Sequence, residues 1–104
     1  GDVVFPNETC IRVKAPLIQA EIIETDLLNR FNHASLISTK ASRIVHCANG
    51  KGVMEFGARR ADGEAAAVDS SIYGIMAGCI GTSNAMAADM LVLFVIRTRG
   101  PACR

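Results

Sequence analysis

Short apolar runs broken by turn residues open the chain. Val3-Val4-Phe5 is followed by Pro6-Asn7-Glu8 and then by Cys10-Ile11-Arg12-Val13-Lys14, with Ile11 and Val13 on one face. This pattern predicts two short β-strands joined by a turn over residues 1–15. Ala15-Pro16 closes the second strand, and Pro16 suits a helix start. From Leu17 to Phe31 apolar residues fall at 17, 18, 22, 23, 27, 28 and 31, the spacing of a helix with one buried stripe. Asn32-His33-Ala34 reads as a short break, and Ser35 as the N-cap of a second helix from Leu36 to about Cys47. Leu36, Ile37, Ile44 and Val45 would face inward. Asn49-Gly50-Lys51-Gly52 stops that helix, with glycine available for a left-handed cap.

The pattern then changes. Val53-Met54-Glu55-Phe56 is a short strand entering a polar loop, Gly57 to Gly63. Alanine-rich Glu64 to Met76 forms a helix, Ala77 to Ile80 a second strand, and Gly81-Thr82-Ser83-Asn84 a second polar loop before a helix from Ala85 to about Leu91. Strand, loop, helix, repeated, is the signature of a parallel sheet, so the fold class is α/β. Working loops in such folds lie at the carboxyl ends of the strands, where both polar clusters stand. Val92 onward reads as one hydrophobic strand and an arginine-rich ending. The domain reading is therefore residues 1–50, residues 51–91, and an off-pattern tail, 92–104.

Composition narrows the function classes. With 104 residues there is room for one core, and 50% hydrophobic against 20% charged residues excludes an acidic or low-complexity disordered chain. The formal charge of +1 gives no field that would gather nucleic acid or an anionic membrane. The longest apolar run, Met90 to Ile96, is far shorter than the ~20 residues of a bilayer span. Cys10, Cys47, Cys79 and Cys103 are too widely spaced for a zinc motif, and read as reduced thiols of a cytoplasmic protein. The first residue is Gly with no leader after it, so the chain reads as starting partway through a longer one.

Few residues offer chemistry on spacing alone. Arg59-Arg60 after a strand is either a forked grip for phosphate or carboxylate, or two solvated arginines. Gly81 to Asn84 is either an ordinary helix cap or an anion site at a helix N-terminus. No dinucleotide or Walker glycine pattern is present. Glu55 and Asp62 do not read as a working carboxylate pair, and His33 and His46 read as packing or surface residues. Lys40 and Arg43 share a helix face that could meet solvent or a bound phosphate.

Four stretches together carry a resemblance: residues 3–29, STKASRI (38–44), EFGARRADG (55–63) and GCIGTSNAMA (78–87). In this order they resemble the nicotinate phosphoribosyltransferase family over about residues 1–91. The resemblance implies transfer of a phosphoribosyl group from phosphoribosyl pyrophosphate to the pyridine nitrogen of nicotinate, giving nicotinate mononucleotide for NAD synthesis. It implies the end of an N-terminal α/β domain followed by the first βα units of an irregular α/β barrel, incomplete here. It further implies a cytoplasmic homodimer, Mg²⁺ arriving with phosphoribosyl pyrophosphate, and ATP as a coupled substrate through a phosphohistidine that neither His33 nor His46 matches.

By position, Phe56 corresponds to the aromatic residue stacking on the pyridine, and Arg59, with Arg60 beside it, to the phosphate-binding arginine. Ser83 corresponds to the residue facing the 3-substituent, where nicotinamide-using relatives carry Asp. Thr82, Asn84 and Lys40 complete the expected substrate contacts. Two other readings stand beside this one: a non-catalytic fragment or binding module, and a quinolinate- or nicotinamide-using enzyme. Ser83 argues against nicotinamide, and Ala58-Arg59-Arg60, where quinolinate enzymes show Thr-Arg-Lys, argues against quinolinate. The resemblance ends near Leu91, and the isolated chain is expected to be inactive.

Overall fold

The structure, a computed structural model, describes residues 2–91. The strand and arginine-rich ending read from Val92 onward lie outside them. Residues 2–15 form no strand; the two strands expected there are replaced by extended coil. The turn between them does form: Glu8 N–H donates to the Phe5 carbonyl at 3.2 Å and Phe5 N–H to the Glu8 carboxylate at 2.8 Å. Asn7, at φ 69°, supplies the positive φ that a type II turn needs after proline. Strands need a partner ladder, and among the described residues nothing pairs with these.

The expected two helices are a single one. α1 runs Leu17–Cys47, 31 residues, straight through the Asn32–Ser35 segment read as a break. None of those residues is Gly or Pro. Their propensity deficits are a few tenths of a kcal/mol each, too little to interrupt a helix whose hydrogen bonds continue on both sides. Ser35 therefore sits mid-helix and caps nothing. The end falls as expected, with Asn49 (φ 49°) and Gly50 (φ 84°) both left-handed after the last turn.

Beyond it lie β1 (Met54–Glu55), a 3₁₀ turn (Ala58–Arg60), α2 (Glu64–Met76), β2 (Gly81–Thr82) and α3 (Ala85–Met90). β1 and β2 pair in parallel, Met54 with Gly81 and Glu55 with Thr82, so the β–α–β unit read from the pattern is present. The second strand lies later than expected. Residues 77–79 instead close α2: Gly78, at φ 107°, donates to the Ile75 carbonyl and Cys79 to the Gly74 carbonyl, each at 3.0 Å. That 5→2 and 6→1 pair is a Schellman ending, and it uses the residues an apolar count assigns to the strand.

The core is small and built of small residues. Ala67, Val68, Ser71 and Gly74 make one stripe of α2, buried against Ala87 and Ala88 of α3 and against Cys79 and Thr82. α1 buries no residue fully. Its first-half stripe, expected to be inward, is open: Leu17 and Ile18 are each 72% exposed and Ile22 73%. Of the inward set of the second half, Ile37 and Val45 are half-buried, while Leu36 and Ile44 remain exposed. The radius of gyration, 16.8 Å, exceeds the ~13 Å of a compact domain of this length. A long helix leaning on one compact unit explains the difference.

Candidate functional site

The parallel register places both polar loops at one edge. Glu55 and Thr82 are the last paired residues of β1 and β2, so Phe56 and Ser83 are the first residues beyond the carboxyl ends of neighbouring strands. Adjacent strands lie about 4.8 Å apart. The pairing continues one step further, with Ser83 N–H donating to the Glu55 carbonyl at 3.2 Å.

A cleft of about 520 Å³ opens between the second half of α1 and the β1–α2 unit. Lys40 enters it from α1, and Phe56 and Arg60 from the segment after β1; His33, Asp62 and Ser70 also line it. Three of the seven expected substrate residues thus meet on one surface. Phe56 is 44% exposed, open enough for its ring to stack on a planar ligand. Arg60 lies in the last turn of the 3₁₀ segment, whose first hydrogen bond runs from Arg60 N–H to the Gly57 carbonyl at 2.8 Å. The other four, Arg59, Thr82, Ser83 and Asn84, do not line the cleft.

Two of those four have structural work. Asn84 is the N-cap of α3, its side-chain oxygen accepting from Ala87 N–H at 3.3 Å. Thr82 is 2% exposed, donates its hydroxyl proton to the Glu55 carboxylate at 2.8 Å and accepts from Asn84 N–H at 3.1 Å. Ser83 and Arg59 are exposed. The capping role left open for the Gly81–Asn84 loop therefore belongs to Asn84 and not to Ser83.

Glu55, which does not read as half of a carboxylate pair, has another role that the pattern does not reveal. Its carboxylate accepts from Ser71 Oγ at 2.7 Å, from Thr82 Oγ1 at 2.8 Å and from Gly57 N–H at 2.6 Å. Hydrogen bonds to a charged acceptor are worth about 1.5–3 kcal/mol each, more than neutral ones. A signal was present in Ser71, a hydroxyl on the otherwise apolar stripe of α2, since a buried hydroxyl requires a partner. Among the described residues no buried side-chain polar atom lacks one.

Close to Glu55 lies Cys79, 8% exposed. Burial first, and the Glu55 charge second, push its thiol above the ordinary value. Cys10 and Cys47 are free and exposed. His33 is half-buried, edge-on to Tyr73 with ring centroids 6.0 Å apart, and His46 is exposed in the last turn of α1. Among the described residues no three His, Cys, Asp or Glu side chains converge as a metal site, and no helix is long and apolar enough to cross a membrane.

No family model matches the chain, and no solved structure does. Curated proteins do. A nicotinate phosphoribosyltransferase of Mycobacterium tuberculosis is 44% identical over 88 residues, 85% of this chain and 19% of that protein. The nicotinate phosphoribosyltransferase of Bacillus subtilis is 44% identical over 106 residues, covering 98% of this chain and 21% of its own length. That match reaches past Leu91. The rat enzyme of the same name is 34% identical over 86% of the chain. The chain spans about a fifth of the length of these relatives, and by this similarity it belongs, as a segment, to the nicotinate phosphoribosyltransferase family.

Proposed function

We propose that this segment supplies part of the substrate site of an enzyme joining nicotinate to the phosphoribosyl group of phosphoribosyl pyrophosphate. The observation that carries the reading is 44% identity to the Bacillus nicotinate phosphoribosyltransferase over nearly the whole chain. The convergence of Phe56, Arg60 and Lys40 on one cleft supports it. In such a transfer pyrophosphate leaves the anomeric carbon while positive charge builds on the ribose. Positioning and phosphate electrostatics then supply most of the rate.

Phe56 would stack on the pyridine ring, and Arg60 and Lys40 would hold anionic oxygens within the cleft. Arg59, exposed beside it, would reach phosphate from the outer side of the same turn. Ser83, next to Phe56 across the strand ends, would face the 3-carboxylate without opposing its charge. Mg²⁺ would arrive with phosphoribosyl pyrophosphate, and ATP would be coupled through a phosphohistidine that this chain does not contain, its two histidines being His33 and His46. The complete enzyme is read as a cytoplasmic homodimer with an irregular α/β barrel, whose first βα units are β1–α2 and β2–α3.

Grafting tests this directly. Residues 2–91 replace the aligned segment of the Bacillus enzyme, and formation of nicotinate mononucleotide is followed. Turnover within about tenfold of the parent supports the reading. A folded, dimensionally normal graft without turnover overturns it.

A further inference from the structure

We propose that Glu55 is a positioning residue that holds the two substrate loops, Gly57–Arg60 and Thr82–Asn84, in one fixed register. The inference rests on the substrate-loop reading given above for its functional meaning, but its geometry stands by itself. One carboxylate oxygen accepts from Gly57 N–H at 2.6 Å, fixing the first residue of the turn that carries Arg60. The other accepts from Thr82 Oγ1 at 2.8 Å and from Ser71 Oγ at 2.7 Å, tying the second loop and α2 to the same group. The Glu55 carbonyl accepts from Ser83 N–H. A single residue therefore touches both loops, by side chain and by backbone.

Two glycines leave the space for it. A Cβ at Gly57 would stand 2.9 Å from the nearer carboxylate oxygen, and one at Gly74 would stand 3.0 Å from the Glu55 Cγ. Both contacts are tighter than ordinary packing, so a side chain at either position would push Glu55 from the place it holds here. Thr82 relays the hold further. Its hydroxyl gives its proton to Glu55 and takes one from Asn84 N–H, the residue that caps α3. The Gly57 and Asn84 amides, on separate loops, are thus joined through one carboxylate and one hydroxyl.

Hydrogen–deuterium exchange by mass spectrometry on the purified chain tests the hold, comparing the parent with Glu55→Ala, Glu55→Gln and Ser71→Ala. Loss of a charge-assisted bond corresponds to about a tenfold change or more in local opening. Glu55→Ala should raise exchange about tenfold across residues 56–60 and 82–84 while leaving residues 36–45 of α1 unchanged. Glu55→Gln should rescue it in part. Its carbonyl can still accept from Gly57, and its NH₂ can donate to the Ser71 hydroxyl, which turns its own proton to the Ala67 carbonyl; the Thr82 hydroxyl, already accepting from Asn84 N–H, loses its acceptor.

Equal exchange in the parent and Glu55→Ala, or a uniform rise that includes α1, overturns the proposal. If Glu55→Ala does not fold, Ser71→Ala decides: alanine suits a helix, and a severalfold rise confined to the two loops supports the hold, whereas no rise overturns it. Titration with inorganic pyrophosphate separates the two readings. A parent chain with coupled loops but no pyrophosphate affinity sinks the anion role of the arginines alone. Affinity in Glu55→Ala equal to the parent's, with the loops loosened, overturns the positioning role.

Discussion

Arg59 and Arg60 are adjacent, yet the 3₁₀ turn separates their surroundings. Arg60 lines the cleft with Phe56 and Lys40, and Arg59 does not. In the grafted enzyme, Arg60→Ala should therefore reduce kcat/KM for phosphoribosyl pyrophosphate by about ten- to a hundredfold, the worth of one charge-assisted contact. Arg59→Ala should cost less. The reverse order in steady-state kinetics would move the grip to the outer arginine. At Ser83 the capping alternative is gone, since Asn84 fills that position. Ser83→Asp should then turn preference from nicotinate toward nicotinamide. Two carboxylates about 4 Å apart repel by about 4 kcal/mol at an effective dielectric near 20, and water screens part of that. A nicotinate loss of about a hundredfold is expected, read as the ratio of kcat/KM for the two substrates; an unchanged ratio removes Ser83 from the specificity set.

Cys79 makes a prediction of opposite kind, about stability and pH. Its thiol is raised in the folded chain by burial and by Glu55, so folding favours the neutral form. The stabilisation linked to this group is complete below the ordinary thiol value. It falls as pH climbs past about 9 through the raised folded value. Thermal melts should therefore decline faster above about pH 9 in the parent than in Cys79→Ala. At neutral pH a thiol reagent should label Cys10 and Cys47 well before Cys79. Prompt labelling of Cys79 in folded protein would contradict its burial.

Individual elements show which physics is legible in a sequence. The β–α–β order, the α2 span from Glu64 to Met76 and the stop after Cys47 were readable, because periodicity and glycine punctuation are local signals. The Asn32–Ser35 break was not, because moderate helix formers become a boundary only when tertiary contacts make them one. The pattern puts a strand at Ala77–Ile80, where the structure has a Schellman ending, because such an ending looks apolar in sequence while its turn is carried by the φ of Gly78. Cross-strand placement of Phe56 beside Ser83 needed register, which pattern does not provide. At this scale Asn84→Ala removes the only side-chain cap of α3 among the described residues and should cost about 1 kcal/mol. Chemical denaturation should show a lower midpoint, and Asn84→Asp should restore it.

At the scale of the whole molecule, the described residues are dominated by what they leave uncovered. Leu17, Ile18, Ile22, Ile23 and Leu28 stand exposed along the first half of α1, and Val3, Val4, Phe5, Ile11 and Val13 along the segment before it. A second groove, about 540 Å³, runs between residues 10–13 and this helix face, walled by Ile11, Val13, Leu27 and Phe31. Burial of a large apolar side chain is worth about 1.5–3 kcal/mol, so ten such residues left in water constitute a strong drive to associate. Among the described residues the buried apolar side chains are instead three alanines, one valine and one cysteine, which is little to set against the entropy of ordering the chain. The purified chain should therefore self-associate at micromolar concentration, and sedimentation velocity should show species larger than the monomer. Ile18→Lys with Ile22→Lys, both on the open face, should shift the distribution toward monomer without reducing helix content, because lysine is a good helix former and neither site is packed. The same chain should yield no steady-state nicotinate mononucleotide, since it spans about a fifth of the relatives' length and supplies one side of the reading's substrate site. A monodisperse monomer would show that the α1 face tolerates water, and turnover by the chain alone would show that the Phe56–Arg60 cleft suffices for the chemistry.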